Sequence, residues 1–238
     1  MNVGLPATPQ AFRGVWQRTL YDEPAKAPYQ QTDTTTQVYW LQGKHWHADL
    51  RLPADSPDFS GITGLDDCNR RQLEWLARLT AFAGITQIDS ELGVCTWHRY
   101  QDLCPSLEKD VGLLRWLDGT ILDERHPHDQ YVEHWQQLSN DAVEDVIQDA
   151  QGQLRWLQIG DHAMAITPRP WADNADALFA PINSLTDSAL LWRASLCFDY
   201  LERSQDGWRV VLSTQPWRKG VIYDSAANRL HSSLVTPI

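Results

Sequence analysis

The chain has 238 residues, 42% hydrophobic and 21% charged, which fits one large all-β domain or two small ones and excludes a disordered polymer. Its formal net charge of −11 opposes phosphate backbones, so nucleic acid is not an expected partner. No apolar run reaches the roughly 18 residues of a membrane-crossing helix, and the opening residues carry no basic and apolar leader, so a cytoplasmic protein is expected.

Period-2 alternation runs through 12–22, 34–42 and 46–53, the last two forming a hairpin around Gly43-Lys44. Within 46–53, Trp46, Ala48, Leu50 and Leu52 share one face, and His47, Asp49 and Arg51 share the other. Residues 54–64 read as a loop marked by Pro57, Gly61 and Gly64. A helix follows, capped by Asp66 or Asp67, with Leu73, Leu76 and Leu79 at helical spacing.

Strands resume at 82–89, 93–102, 111–117, 120–125 and 130–138, with Asp118-Gly119 as a two-residue hairpin turn. After Ser139-Asn140 the alternation restarts at 143–150 and 154–159, flanking Gln151-Gly152, and continues at 163–168. Pro168, Pro170 and Pro181 mark an irregular stretch. Strands 192–203 and 207–214 then pair across Gln205-Asp206-Gly207, and a short strand lies near Val221-Tyr223.

About fourteen strands and one helix exceed one small barrel. The expected fold is all-β, with two packed antiparallel β-barrels and one short helix: a first barrel over 11–138 and a second barrel or sheet over 139–238. A single long, bent sheet is the alternative.

The triplet Gly14-Val15-Trp16 on the opening strand resembles the lipocalin and calycin barrels, where the glycine lets the chain turn in tightly and the tryptophan plugs the closed end. Longer words extend the likeness: Asp33-Thr34-Thr35-Thr36-Gln37-Val38-Tyr39-Trp40-Leu41-Gln42, Ala48-Asp49-Leu50-Arg51-Leu52-Pro53, Phe82-Ala83-Gly84, Cys95-Thr96-Trp97-His98-Arg99 and Tyr131-Val132-Glu133-His134-Trp135. Together they resemble the Hri-type family of fungi and bacterial relatives over residues 12–165. That resemblance implies lipocalin-like (calycin-like) barrels; it carries no established biochemical role and no catalytic residues. It also places Trp16 at one barrel end, with an Arg or Lys stacked on its face.

Strand parity groups the candidate site residues. Thr96, His98, Tyr100 and Asp102 share one face of their strand, and Cys95, Trp97 and Arg99 the other. Tyr131, Glu133 and Trp135 share a face, as do Asp49 and Arg51. Faces of this kind turned into one barrel make a ligand site from Arg18, Trp40, Asp49, Arg51, Trp97, His98, Arg99, Tyr131, Glu133 and Trp135. His98 and Trp97 have opposite parity, so either His98 enters the cavity or Arg99 enters with Trp97.

The expectation is a small hydrophobic or aromatic molecule bound in the first barrel. One alternative is an enzyme doing isomerase- or hydratase-type acid–base chemistry with His98, Tyr131 and Glu133. The other is an interaction module, which solidly packed barrels favour. Polar strand faces also solvate sheets without any function. No nucleotide-binding or nucleophile motif occurs, and no cofactor is expected. His45-x-His47 and His126-x-His128 lack a third ligand in a known arrangement, so no metal site is expected. Cys68, Cys95, Cys104 and Cys197 form no CxxC pair and read as reduced thiols.

Overall fold

The computed structural model describes residues 4, 6–26, 30–141, 143–171 and 175–223. Nine strands form the first sheet: β1 (Gly14–Glu23), β2 (Gln31–Asp33), β3 (Gln37–Gln42), β4 (Trp46–Leu52), β5 (Thr80–Asp89), β6 (Val94–Asp102), β7 (Asp110–Trp116), β8 (Ile121–Arg125) and β9 (Val132–Ser139). All neighbours pair antiparallel, and β9 returns to pair with β1. Eight strands thereby close into a barrel, with β2 added as a short ribbon beyond β1.

Closure needs two close backbone approaches. Gly14, at φ 139°, carries no Cβ where one would lie 2.2 Å from the Ser139 carbonyl, and this lets β1 meet β9. At Gly84, beside a bulge in the β5–β6 ladder, a Cβ would lie 1.8 Å from the His98 carbonyl.

The second half is not a barrel. Strands β10 (Glu144–Gln148), β11 (Leu154–Ile159), β12 (His162–Thr167), β13 (Cys197–Ser204), β14 (Gly207–Ser213) and β15 (Ile222–Tyr223) form an open antiparallel meander. The sheet curls enough to bring Trp156 of β11 edge-on to Trp208 of β14, at 5.4 Å, but β10 and β15 do not pair. Local alternation specifies each strand; it does not specify whether the two edges meet.

The helical content also differs from expectation. Helix α1 (Arg70–Leu76) is capped by Asn69 rather than Asp66 or Asp67. Asn69 accepts from the Gln72 N–H and Gln72 reaches back to the Asn69 N–H, a reciprocal box. Asp67 instead caps a short 3₁₀ turn at Leu65–Asp67 through Thr63 and Gly64. A second helix, α2 (Asp187–Ala194), takes Trp192 and Arg193 out of the expected strand, which begins only at Cys197. Thr186 caps it, and Ala189, Leu190, Arg193 and Ala194 form its buried face at helical spacing. Helices α1 and α2 pack together through Leu73, Ala77, Ala189 and Leu190.

Strand β4 shows how the layers are arranged. Its polar face, His47, Asp49 and Arg51, points into the barrel, and its apolar face points outward beneath the second sheet. Trp46, Ala48 and Leu50 join Leu41, Ala81, Ala83 and Ile85 in a core shared with Leu157, Met164, Ile166, Phe198 and Leu212. Tyr39 stacks on Tyr200 of β13 at 4.0 Å across this interface.

The barrel interior has a separate core: Trp16, Val38, Trp40, Cys95, Trp97, Leu114, Leu122 and Trp135. Trp16, fully buried near the start of β1, donates its N–H to the Phe12 carbonyl at 3.1 Å. Trp40 and Trp116 take its faces, where a cationic side chain was expected, with centroids 5.7 and 5.6 Å away.

Because Trp16 is fully buried between Trp40 and Trp116 at this end, Trp16→Ala is expected to lower stability by roughly 3–5 kcal/mol. Urea unfolding followed by far-UV circular dichroism measures it, and a loss under 1 kcal/mol would remove Trp16 from this role.

Candidate functional site

Down the barrel axis the interior divides into three zones. At the end where β1 begins, Gln42, His47 and Thr86 are fully buried. The Thr86 hydroxyl donates to Gln42 Oε1 at 2.7 Å and lies 3.0 Å from His47 Nδ1. Thr86 has one proton to give, so His47 Nδ1 carries the hydrogen and its Nε2, which has no hydrogen-bond partner among the described residues, is bare. Burial first, then the nearby Arg99 charge, pushes His47 down to about 3.

The middle zone holds the tryptophans. Trp40 stands edge-on to Trp97 and Trp135, with centroids 5.9 and 5.5 Å away. Gly112 of β7 makes room for them: a Cβ there would come within 2.9 Å of the Glu124 side chain and 3.0 Å of the Trp97 ring.

The third zone, toward the opposite end, is charged. Glu133, 1% exposed, accepts through Oε1 from Arg18 Nη1 at 2.7 Å and from Arg51 Nη1 at 2.8 Å. Arg51 Nε also donates to Asp49 Oδ1 at 2.9 Å, and Arg18 Nη2 to Asp33 Oδ2 at 3.0 Å. Arg51 lies over the Trp135 ring at 5.8 Å. Burial raises Asp49 above the usual carboxylate range, against the pull of Arg51.

Farther round the wall, Glu124 of β8 accepts from the Trp135 N–H at 3.0 Å and the Tyr131 hydroxyl at 3.3 Å. Burial, then the Glu133 and Asp110 carboxylates, raises Glu124 well above the ordinary range. Arg99 donates to Asp110 at 2.5 Å and to Asp102 at 3.3 Å, with its guanidinium 3.5 Å from the Phe82 ring centre.

This arrangement fixes where space is found. The void among Trp40, Asp49, Arg51, Phe82, Trp97 and Glu124 measures about 10 Å³, the size of one water at most. The expected central ligand cavity is therefore filled by side chains. Space opens instead through the wall: the β6–β7 ladder runs only from Val94↔Leu113 to Trp97↔Asp110, while β6 continues beside β5 to Asp102. The gap forms a cleft of about 440 Å³ bounded by Trp97, Arg99, Asp110, Tyr131 and the 105–109 connection.

The expected residues separate accordingly. Arg18, Asp49, Arg51 and Glu133 form one network; Trp40 and Trp135 stand beside it, and Trp97 and Arg99 point inward together. His98 does not join them, because strand parity opposite Trp97 and Arg99 puts it on the outer face, exposed at the cleft rim; the bulge at Ala83/Gly84 lies beyond it and turns Asp102 to the Arg99 side, off the face expected to hold Thr96, His98 and Tyr100 with it. Tyr131 reaches Glu124 rather than His98. A His98, Tyr131 and Glu133 catalytic set is thus not assembled: His98 lies outside, and both arginines already hold Glu133. Glu124 and Asp110 stand outside the residues that the sequence groups; the alternation of 120–125, which puts Leu122 and Glu124 on one face, is the available signal for Glu124 alone.

Among the described residues, no three His, Cys, Asp or Glu side chains gather as a metal site. None of the described helices is long and apolar enough to cross a membrane. Comparison with family models, curated proteins and solved structures finds no match to this chain.

Removing one partner from a buried ion pair strands the others. Glu133→Gln is expected to cost roughly 3–5 kcal/mol, against under about 0.5 kcal/mol for Asp161→Asn at the exposed Arg203–Asp161 pair. Equal effects in urea unfolding would contradict the network's structural weight.

His47 gives a pH signature. The unfolded chain protonates it below 6.5 while the folded chain refuses the proton until about 3, so its contribution to stability falls as pH falls through that window. Glu124 and Asp49 act in the opposite sense, holding protons in the folded state above the carboxylate range. The difference between wild type and His47→Gln isolates the histidine: wild type should lose stability faster, by up to about 1.4 kcal/mol per pH unit. Parallel profiles would contradict a buried neutral imidazole.

Proposed function

We propose that this is a binding protein for a small aromatic or amphipathic molecule, which it holds in the cleft through the barrel wall. The observation that carries the reading is the early end of the β6–β7 ladder at Trp97↔Asp110, beside a barrel that is otherwise closed. Continued pairing would satisfy the upper part of β6; its absence exposes an aromatic wall and convergent polar groups in a cleft of ligand size. Membership of the Hri-type family, suggested by its sequence words, belongs to the same proposal. So does a cytoplasmic location, which four free cysteines support.

The packed interior favours a second reading, an interaction module whose cleft receives a peptide side chain. The small-molecule reading is preferred because the walls are side chains of rigid strands converging from β6, β7 and the turn before β9.

Val111→Trp fills the cleft from β7 with a side chain that belongs to none of the interior networks. Native mass spectrometry of the purified protein should find a small molecule retained by wild type and lost from this variant. A wild-type protein that emerges empty, and whose tryptophan fluorescence no member of an aromatic fragment panel alters, would overturn the reading.

A further inference from the structure

We propose that the cleft takes its ligand by a positively charged amine, seated between Trp97 and Tyr131 with Asp110 and Glu124 as its acceptors. The proposal rests on the cleft-binding reading and adds the chemical class of the ligand.

It starts from an imbalance of charge. Asp49 and Glu133 bond to Arg51, Asp33 to Arg18, and Asp102 and Asp110 to Arg99. Among the described residues Glu124, 4% exposed, has no guanidinium or ammonium partner; the side chains that bond its oxygens there are the neutral N–H of Trp135 and O–H of Tyr131. A buried carboxyl of this kind stays protonated or acquires a cation.

The position of Glu124 makes that cation accessible. Trp97 and Asp110 border both the outer cleft and the small interior void on which Glu124 lies. Tyr131 lines the cleft, and its hydroxyl is 3.3 Å from Glu124 Oε1, so this one side chain stands between the ligand space and the carboxyl and turns aside when an ammonium takes its place on Glu124. The indole and phenol rings supply the faces on which an ammonium is held. The lining also offers an anion Lys109, His98 and His126, whereas the Arg99 fork is already committed to Asp110 and Asp102, so an anionic probe is a real competitor of the amine.

Binding carries a proton balance. The groups facing Glu124 are Glu133 across the β8–β9 pair, Asp110 of β7, Arg51 of β4, Cys95 of β6 and Tyr131 of the preceding turn. Burial and the two carboxylates outweigh Arg51 and raise Glu124 well above the ordinary range. At a pH where Glu124 is protonated, an arriving ammonium displaces that proton to solvent and the carboxylate pairs with the ammonium, so binding weakens as pH falls.

The test uses the full chain and three probes with one ring: benzylammonium, benzyl alcohol and benzoate. They are followed by tryptophan fluorescence and by calorimetry in two buffers of different ionisation enthalpy. Benzylammonium should bind at least about tenfold more tightly than either of the others. It should release up to about one proton, and release it less completely as pH rises toward the Glu124 titration. Glu124→Gln should weaken it about tenfold and abolish the release. If that variant fails to fold by its melting curve, Asp110→Asn should show the same loss of affinity. Benzyl alcohol or benzoate binding as tightly as benzylammonium would overturn the amine while leaving the cleft a binding site. Proton release surviving Glu124→Gln would overturn the role of Glu124, and no binding of any probe at millimolar concentration would overturn the cleft reading as well.

Discussion

The Glu133 carboxylate, shared between Arg18 and Arg51, is the interaction around which the barrel is organised. It joins β9 to β1 on one side and reaches β4 on the other. The buried Arg18 and Glu133 and the part-buried Arg51 cannot be left apart in a low-dielectric interior, so once this set is present the strands that carry it have few alternative registers. A one-residue slip of β4 would turn Asp49 and Arg51 outward into the apolar layer and bring Ala48 and Leu50 inside. The ion network thus specifies which face of β4 points inward, and hydrophobic burial on the opposite face stabilises the result.

That opposite face explains the second sheet. Barrel strands commonly turn one face to solvent, but β3, β4 and β5 carry Leu41, Trp46, Leu50, Ala83 and Ile85 on the outside, all nearly inaccessible. The meander from β10 to β15 covers them, and its own apolar residues finish the layer. An open sheet suffices for this because one of its faces has the barrel to rest on. Its other face buries Trp156, Trp208 and Tyr223 by curling, without the edge-to-edge pairing that a barrel would require.

Much of this was legible in the sequence, and the reasons for what was not are physical. The two faces of β4 could be read directly, because Trp46, Ala48, Leu50 against His47, Asp49, Arg51 is a period-2 pattern with no exceptions. Convergence of Arg18, Arg51 and Glu133 followed from the need of each charge for a partner. Helix α2 was hidden because Trp192 and Leu196 also fit an alternating reading, and its decisive signal, the Thr186 cap, lies in a proline-bracketed stretch. Strand parity sets Trp97 and Arg99 against His98 but not which of them faces the interior, a choice made by packing with Trp40 and Phe82; the bulge at Ala83/Gly84, which no local pattern announces, moves Asp102 to the Arg99 side. Glu124 escaped notice because nothing in its own strand marks a carboxylate as unpaired; that property belongs to the assembled wall. Closure, likewise, is a matter of whether distant edges meet, as β1 and β9 do and β10 and β15 do not.

The cleft, finally, is not the property of the barrel alone. Beyond Trp97, strand β6 leaves β7, and the backbone that follows must be held open by something other than a ladder. Arg99 supplies one tie, reaching Asp110 across the gap. The other comes from the second half of the chain. Arg169, just after β12, donates to the carbonyls of Asp102 at 2.9 Å and Leu103 at 2.7 Å, and also to that of Arg193 in α2. Arg193, nearly inaccessible, reaches Cys104 in turn and holds the carbonyls of Ala177 and Ala180. The Asp102 and Leu103 carbonyls lie where β6 ends, past its last pair with β7, so Arg169 supplies backbone hydrogen bonds along one rim of the opening while Arg193 ties the same segment to the second half through Cys104. The second sheet and its helix therefore do more than cover an apolar patch: they brace the segment whose departure from the barrel makes the cleft.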